Sequence, residues 1–367
     1  MQPTVGLMMI VRNEAPTLPR LAKTVIDQVD HWTLLDTGSG DNTIEVAQLL
    51  FRNLPGQIIT EAWTGFGPSR NSVLAIARPH TDWLLAMDAD ETLEGRIDRS
   101  ELSADLDAIT PEYHNGPITY WLPRLISAST DWQWKGRTHE HLHHPNGPSR
   151  TRRTDRWSIR HHADGGNRTN KYHRDVKLLR DDWTEHPNPR TAFYLARTYE
   201  DLGQHRDAIR WYRTRLQLSQ QQDEETWYTH WRLGATLLNT GEPDQGRRHL
   251  HQATQSRPWR AEPLVTLSEH HRQQQQWTES WSACQQAFTA TAAAPCGQGP
   301  KPTTDTLFID TDTYTWRIAY EASITAYYVA QPKQGARLCH YLLTLADLPQ
   351  PIRDATTNNL TYYPRRL

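Results

Sequence analysis

The chain has 367 residues, with 40 Lys and Arg against 42 Asp and Glu, and its hydrophobic content of 37% includes 15 Trp and 14 Tyr. That length exceeds one ordinary core, and the apolar content is enough to build two, which excludes wholesale disorder. Three cysteines (Cys284, Cys296, Cys339), none in a CxxC pair, exclude a disulfide framework, and no apolar run approaches the ~18 residues of a membrane span, so a cytoplasmic setting without membrane attachment is expected.

The opening GLMMIV is too short for a signal-peptide core and reads instead as the strand Val5–Val11, ended by the polar RNE. Residues 16–29 carry apolar side chains at helical spacing. HWTLLD (residues 31–36) is a second strand, TGSGD a turn, and Asn42 a helix cap. A third strand over 57–60, a helix over 69–77 and a buried strand over 83–87 complete the rhythm of a parallel α/β sheet, whose ligands gather at the strands' C-terminal ends. From Pro189 the pattern becomes paired helices. Leu195-Ala196, Tyr199, Gly203, Ala208 and Tyr212 fit a tetratricopeptide repeat, as do Leu233-Gly234, Leu237, Gly241, Leu250, Ala253 and Pro258. A third copy follows at Leu267, Cys284 and Ala287, and a degenerate fourth at Tyr320, Tyr327 and Ala336. A Pro/Gly/Thr-rich insert, 292–306, reads as a loop. The expected division is residues 1–185 and 186–367.

Four motifs converge on one sheet edge: Val11-Arg12-Asn13-Glu14 after strand one, Asp36 closing strand two, Ser69-Arg70-Asn71 opening a helix, and Asp88 and Asp90 after the fourth strand. Paired carboxylates on a rigid strand end can anchor Mg²⁺ or Mn²⁺ while phosphates complete its shell, and a cation such as Arg70 can neutralise a departing diphosphate. A second Asp-x-Asp, Asp310–Asp312, has no such company and is assigned to a loop.

MIVRNE, LLDTGSGDNT, SRNSVLAIA and WLLAMDADE resemble the successive signatures of family-2 glycosyltransferases, over roughly residues 4–180. With tetratricopeptide-like repeats behind, the chain resembles the bacterial and phage branch that includes peptide S-glycosyltransferases. The resemblance implies a GT-A, Rossmann-like mixed sheet and an inverting transfer from a UDP-sugar. It assigns Val11–Glu14, Asp36, Arg70 and Asp88 to the nucleotide sugar and Asp88 and Asp90 to the metal. Glu140 in WKGRTHEHLHH would be the acceptor-side base. His161 or His162 would be a late metal ligand, His161 preferred because it shares the strand face of Ile159.

Residues 1–149 carry 11 Lys/Arg against 19 Asp/Glu, whereas 150–180 carry 10 against 3. The segment SRTRRTDRWSIRHH reads as a basic turn between two strands. Arg152, Arg153, Arg156, Trp157 and Lys171, with Arg168 nearby, are the expected acceptor contacts. Such a patch suits DNA bearing a hydroxymethylated pyrimidine, which is placed slightly ahead of a peptide or protein acceptor held in the repeat groove; a homodimer is plausible. Two rival readings arise from the residues. His139-Glu140-His141-Leu142-His143 is formally HExxH, but Gly136, Pro145, Gly147 and Pro148 leave little room for the helix a zinc hydrolase needs. An inactive repeat scaffold is opposed by the intact acidic motif.

Overall fold

The computed structural model describes residues 2–147, 149–165, 171–219, 221–291 and 305–363; Arg168, Cys296 and residues 292–304 of the insert lie outside them. The chain forms two compact units, Met1–Pro187 and Asn188–Leu367. Among the described residues, no helix is long and apolar enough to cross a membrane.

In the first unit, β1 (Val5–Val11), α1 (Leu18–Val25), β2 (His31–Asp36), α2 (Thr43–Leu50), β3 (Gly56–Thr60), α3 (Phe66–Ala77) and β4 (Trp83–Ala86) alternate as expected. Strands β3, β2, β1 and β4 lie parallel in that order, with Val11 level with Asp36 and Met8 level with Ala86. Side chains alternate across β1. Leu7 and Met9 join Leu18 and Leu21 of α1 on one face, while Met8 joins Val73 and Leu74 of α3 on the other. Burial on both faces explains why these strands read as continuous apolar runs.

The rest of the sheet is mixed. β5 (Glu91–Gly95), β6 (Ala108–Asn115), β7 (Ile118–Trp121) and β8 (Leu125–Ser127) are followed by the hairpin β9 (Gln133–Lys135) and β10 (His141–His143), by β11 (Thr151–His161) and by α4 (Lys171–Glu185). β8 runs antiparallel to β4 and β6, and β11 lies between β5 and β6. The segment expected to be a basic turn is therefore one eleven-residue strand. A bulge between Thr154 and Ser158 breaks its inward–outward alternation and hides it from a period-two reading.

The second unit pairs α5 (Pro189–Asp201) with α6 (His205–Leu218), α7 (Glu224–Asn239) with α8 (Pro243–Ser256), α9 (Glu262–Gln273) with α10 (Trp277–Ala290), and α11 (Ile318–Tyr328) with α12 (Pro332–Thr344), closed by α13 (Gln350–Leu360). The repeat residues do the packing. A Cβ on Gly234 would meet the Gly246 carbonyl at 2.9 Å, so only glycine lets α7 and α8 approach this closely. In the fourth pair Ala336 is buried, but Tyr327 is half exposed.

The chain then returns across the first helices of three repeats. Glu224 of α7 accepts the Thr306 and Leu307 amides at 2.8 and 2.6 Å, and Phe308 packs on Phe193 of α5 and Tyr228 of α7. Arg260, fully buried over Trp227 at 3.8 Å, binds Asp305, Glu262 and the Phe308 carbonyl. Part of the face expected to receive a peptide is thus covered by the protein's own chain. Asp310 of the second Asp-x-Asp is buried and paired with Arg317 at 2.8 Å.

Between α7 and α8, His230 and His249 meet Nδ1 to Nδ1 at 3.0 Å. Burial, then the neighbouring ring, hold His230 down to about 4. Burial also lowers His249, opposed by a hydrogen bond to Gln252 and reinforced by Arg213 and Arg248. The folded value of His230 lies below its unfolded one, so the unfolded chain binds more protons between about pH 6.5 and 4. The helical unit should therefore lose about 3 kcal/mol as pH falls through that window. Urea unfolding at pH 7 and 4.5 reads the loss, and His230→Gln should flatten it.

Candidate active site

The parallel strand ends build one wall. Asn13 follows β1 in a left-handed conformation (φ 55°); its amide donates to Ser39 Oγ at 2.9 Å and its Oδ1 accepts from the Gly40 amide at 2.7 Å. Asp36, 1% exposed, accepts the Gly38 and Ser39 amides at 2.9 Å each and the Ser39 hydroxyl. Its carboxylate holds the turn that follows β2 together. The Val11 carbonyl accepts from the Thr37 amide at 3.0 Å, and Arg12 is exposed. Asn42 occupies the N-cap of α2 without a side-chain capping bond; Asp41 accepts the Thr43 amide instead.

The centre is a cluster of carboxylates and guanidinium groups. Arg70 of α3 is 8% exposed, lies over the Trp134 ring at 5.0 Å, and donates from Nη2 to Asp88 Oδ1 and from Nε to Glu140 Oε1, both at 2.6 Å. The motif order placed Arg70 and Asp88 at one edge and the family resemblance supplied Glu140; in the structure Arg70 bonds to both carboxylates. Asp88 is held below the usual carboxylate range: Arg70 and Arg124 outweigh the opposing effect of burial, the largest single influence. Asp90 Oδ2 lies 3.3 Å from His161 Nε2 and accepts the Gly165 amide at 3.1 Å. His162 turns its Nε2 to Thr92 Oγ1 at 2.9 Å, while its backbone amide donates to the Asp90 carbonyl at 3.0 Å. Of the two histidines, His161 is the one beside the acidic pair. A Cβ on Gly165 would meet Glu14 Oε1 at 3.0 Å and Asp90 Oδ2 at 3.1 Å, so both carboxylates flank that glycine.

Sequence reasoning missed three residues behind Asp88. Glu91 is fully buried; its Oε2 accepts the Asp88 amide at 2.8 Å and its Oε1 accepts from Arg124 at 2.6 Å. Burial pushes Glu91 up, and Arg124, stacked on Tyr113 at 4.5 Å, opposes that shift. Glu91 stands next to Asp90 in WLLAMDADE, so adjacency was the signal available.

Glu140 sits on the hairpin loop between β9 and β10, its side chain 11% exposed. Gly136 (φ 106°) and His139 (φ 49°) take left-handed conformations there, and His141–His143 is strand, so the HExxH helix does not form. Two contacts fix this loop. Asn71 pairs with the Trp134 backbone at 2.9 and 2.8 Å, and Thr138 donates to buried Asp175 of α4 at 3.2 Å. A Cβ on Gly67 would lie 2.5 Å from the Gly136 carbonyl. Gly67→Ala should therefore displace the hairpin, costing about 1–3 kcal/mol, readable as a fall in melting temperature with a larger relative loss of activity.

The expected acceptor residues are not gathered here. Trp157 is 2% exposed within the core, because its backbone position on β11 points it inward, and it has no face left for an acceptor. Arg152 and Arg153 pair with Ile109 and Thr110 at the start of β11, nine residues or roughly 30 Å of strand from His161. Arg153 lies over Trp121, and Lys171 opens α4. Arg150, Arg156 and Arg160 are engaged with Asp107, Asp98 with Glu101, and Glu94. Three of the segment's ten cationic side chains are thus answered by acidic residues elsewhere in the same unit.

Residues 7–97 match the profile described as glycosyl transferase family 2. A TPR repeat-containing protein of Synechococcus elongatus is 34% identical over 146 residues, covering 37% of this chain and 34% of that protein. An uncharacterized glycosyltransferase of Rickettsia felis is 28% identical over 128 residues, covering 35% of this chain and 41% of that protein. The chain thus spans well under half the length of the curated relatives it matches. Among solved structures, MamA aligns with 52% of this chain and 93% of its own at 12% identity and a TM-score of 0.38. With its sheet, its strand-end motifs and its helix pairs, the chain carries a family 2 glycosyl transferase domain in its N-terminal unit and tetratricopeptide-type repeats behind it.

Proposed function

We propose that the N-terminal unit transfers a sugar, with inversion, from a UDP-sugar to a nucleophile on a macromolecular acceptor. The observation that carries this reading is the meeting of Arg70, Asp88 and Glu140 through two 2.6 Å bonds, beside Asp90 and His161. Arg70 is the group suited to the diphosphate, and Glu140 to the acceptor proton. In this reading Glu140 takes the proton as the acceptor atom bonds to the anomeric carbon, while the diphosphate leaves with the electron pair of the broken C–O bond.

The donor set fits a divalent cation. Two guanidinium groups, Arg70 and Arg124, face four carboxylates, Asp88, Asp90, Glu91 and Glu140, leaving an excess of two negative charges. Asp88 and Asp90 supply hard oxygens and His161 a nitrogen, a set suited to Mn²⁺ or Mg²⁺. Among the described residues no three such groups are yet gathered in metal-holding geometry, and Asp88 is tied to Arg70. When bound, the cation would supply charge neutralisation to the leaving diphosphate.

A polypeptide acceptor is favoured over hydroxymethylated DNA. Arg156 is engaged within its own unit, as are its neighbours Arg150 and Arg160, and tetratricopeptide-type repeats suit protein binding. Incubation with UDP-sugars, Mn²⁺ and either a peptide library or hydroxymethylated DNA should give a hexose-sized mass increment on peptide alone. An increment on DNA that weakens steeply with salt would reverse the acceptor assignment.

A further inference from the structure

We propose that Trp63, Phe66 and Arg174 form a cationic, aromatic lip beside Glu140 that selects acceptor polypeptides carrying an acidic residue next to the modified one. The inference rests on the polypeptide-acceptor reading above and names what that acceptor contains. Phe66 opens α3 one helical turn before Arg70, so the two share a helix face, and Arg70 Nε bonds Glu140 Oε1 at 2.6 Å. The Phe66 amide donates to the Arg137 carbonyl at 3.4 Å, which ties the start of α3 to the loop that carries Glu140. Trp63 meets the Phe66 ring edge to face with centroids 4.6 Å apart, and the Arg174 guanidinium of α4 lies over that ring at 5.4 Å. Both rings are half-buried, and the Arg174 side chain is 28% exposed.

The charges of α4 are sorted along its length. Towards its C-terminal end Asp182 and Glu185 are taken by Arg137, at 2.9 and 2.5 Å. Towards its start Lys171 and Arg174 stand one turn apart beside Asp175, which is 2% exposed and accepts from Thr138 Oγ1 at 3.2 Å. Burial raises the Asp175 carboxyl, Arg174 and Lys171 oppose that shift, and Glu140 adds to it, so two cations and the base lie within electrostatic reach of one buried group. A guanidinium over an aromatic face takes a carboxylate by a charge-assisted bond while the ring covers the aliphatic part of the incoming chain. Arginine clusters read acidic motifs in this way. A lysine at the same place in an acceptor would instead meet Arg174 and Lys171 with like charge.

The test is transfer by the full chain from UDP-sugars, with Mn²⁺, to arrayed peptides in which Ser, Thr or Cys is flanked in turn by Asp, Gln or Lys, read by mass spectrometry. Wild-type kcat/KM should favour Asp over Lys flanks roughly fivefold, mainly through KM, and the preference should shrink at high salt. Arg174→Glu should reverse that order, which lost packing alone would not do. Arg174→Gln should flatten it, and this variant covers the case in which the glutamate one folds poorly. Equal rates on Asp and Lys flanks, or an unaltered preference in the folded variants, overturns the lip while leaving the transferase reading intact. Donor hydrolysis without mass gain on any peptide overturns the lip and the polypeptide acceptor together.

Discussion

Asp88→Asn and Asp90→Asn should each lower donor turnover by at least ~10²-fold while leaving the fold intact. Asparagine keeps the shape of either side chain and one carbonyl oxygen for Arg70 or the Gly165 amide. It removes the charge that a cation and a diphosphate would need in order to assemble between β4 and β11. Asp88 is 31% exposed at its side chain, so its loss should disturb binding more than stability. The readout is hydrolysis of UDP-sugar across a Mn²⁺ titration, with circular dichroism as the folding control. Properly folded variants that turn over donor at the wild-type rate in chelator would sink the metal-assisted reading.

Arg260→Leu is the corresponding prediction for the helical unit. Its guanidinium is 0% exposed and pairs with Glu262 and Asp305, which are themselves buried. Leucine fills part of the space over Trp227 but strands two carboxylates away from water, a change worth about 3–5 kcal/mol. For a unit of this size that corresponds to a fall of roughly 10 °C in the melting of the 222 nm signal. An unchanged transition would mean that the network contributes nothing net.

The strand-end motifs were legible because they follow apolar runs buried on both faces: LLD and WLLAMD announce both the strand and the polar step that ends it. Arg70 and Asp88 were placed at one edge by motif order and Glu140 by the family resemblance, yet neither could show that Arg70 grips both carboxylates. Glu91 escaped because its partner Arg124 lies 33 residues away, and a buried ion pair leaves no local pattern. The basic stretch, expected as a turn and found as a strand, shows a different limit of reading charge along the chain. Counting charge over 150–180 ignores that Asp98, Glu101, Asp107 and Glu94 sit on neighbouring segments that only the sheet brings alongside. The return segment at Asp305–Phe308 has no periodicity at all, and only its partners define it.

That segment changes how the repeats should come apart. An ordinary stack of helix pairs frays from its ends, each pair answering only to its neighbours. Here residues 224 and 306, and residues 260 and 305, are clamped to each other across the array. Loss of the distal portion would unlatch the proximal pairs, so denaturant should remove all of them in a single sharp transition rather than in steps.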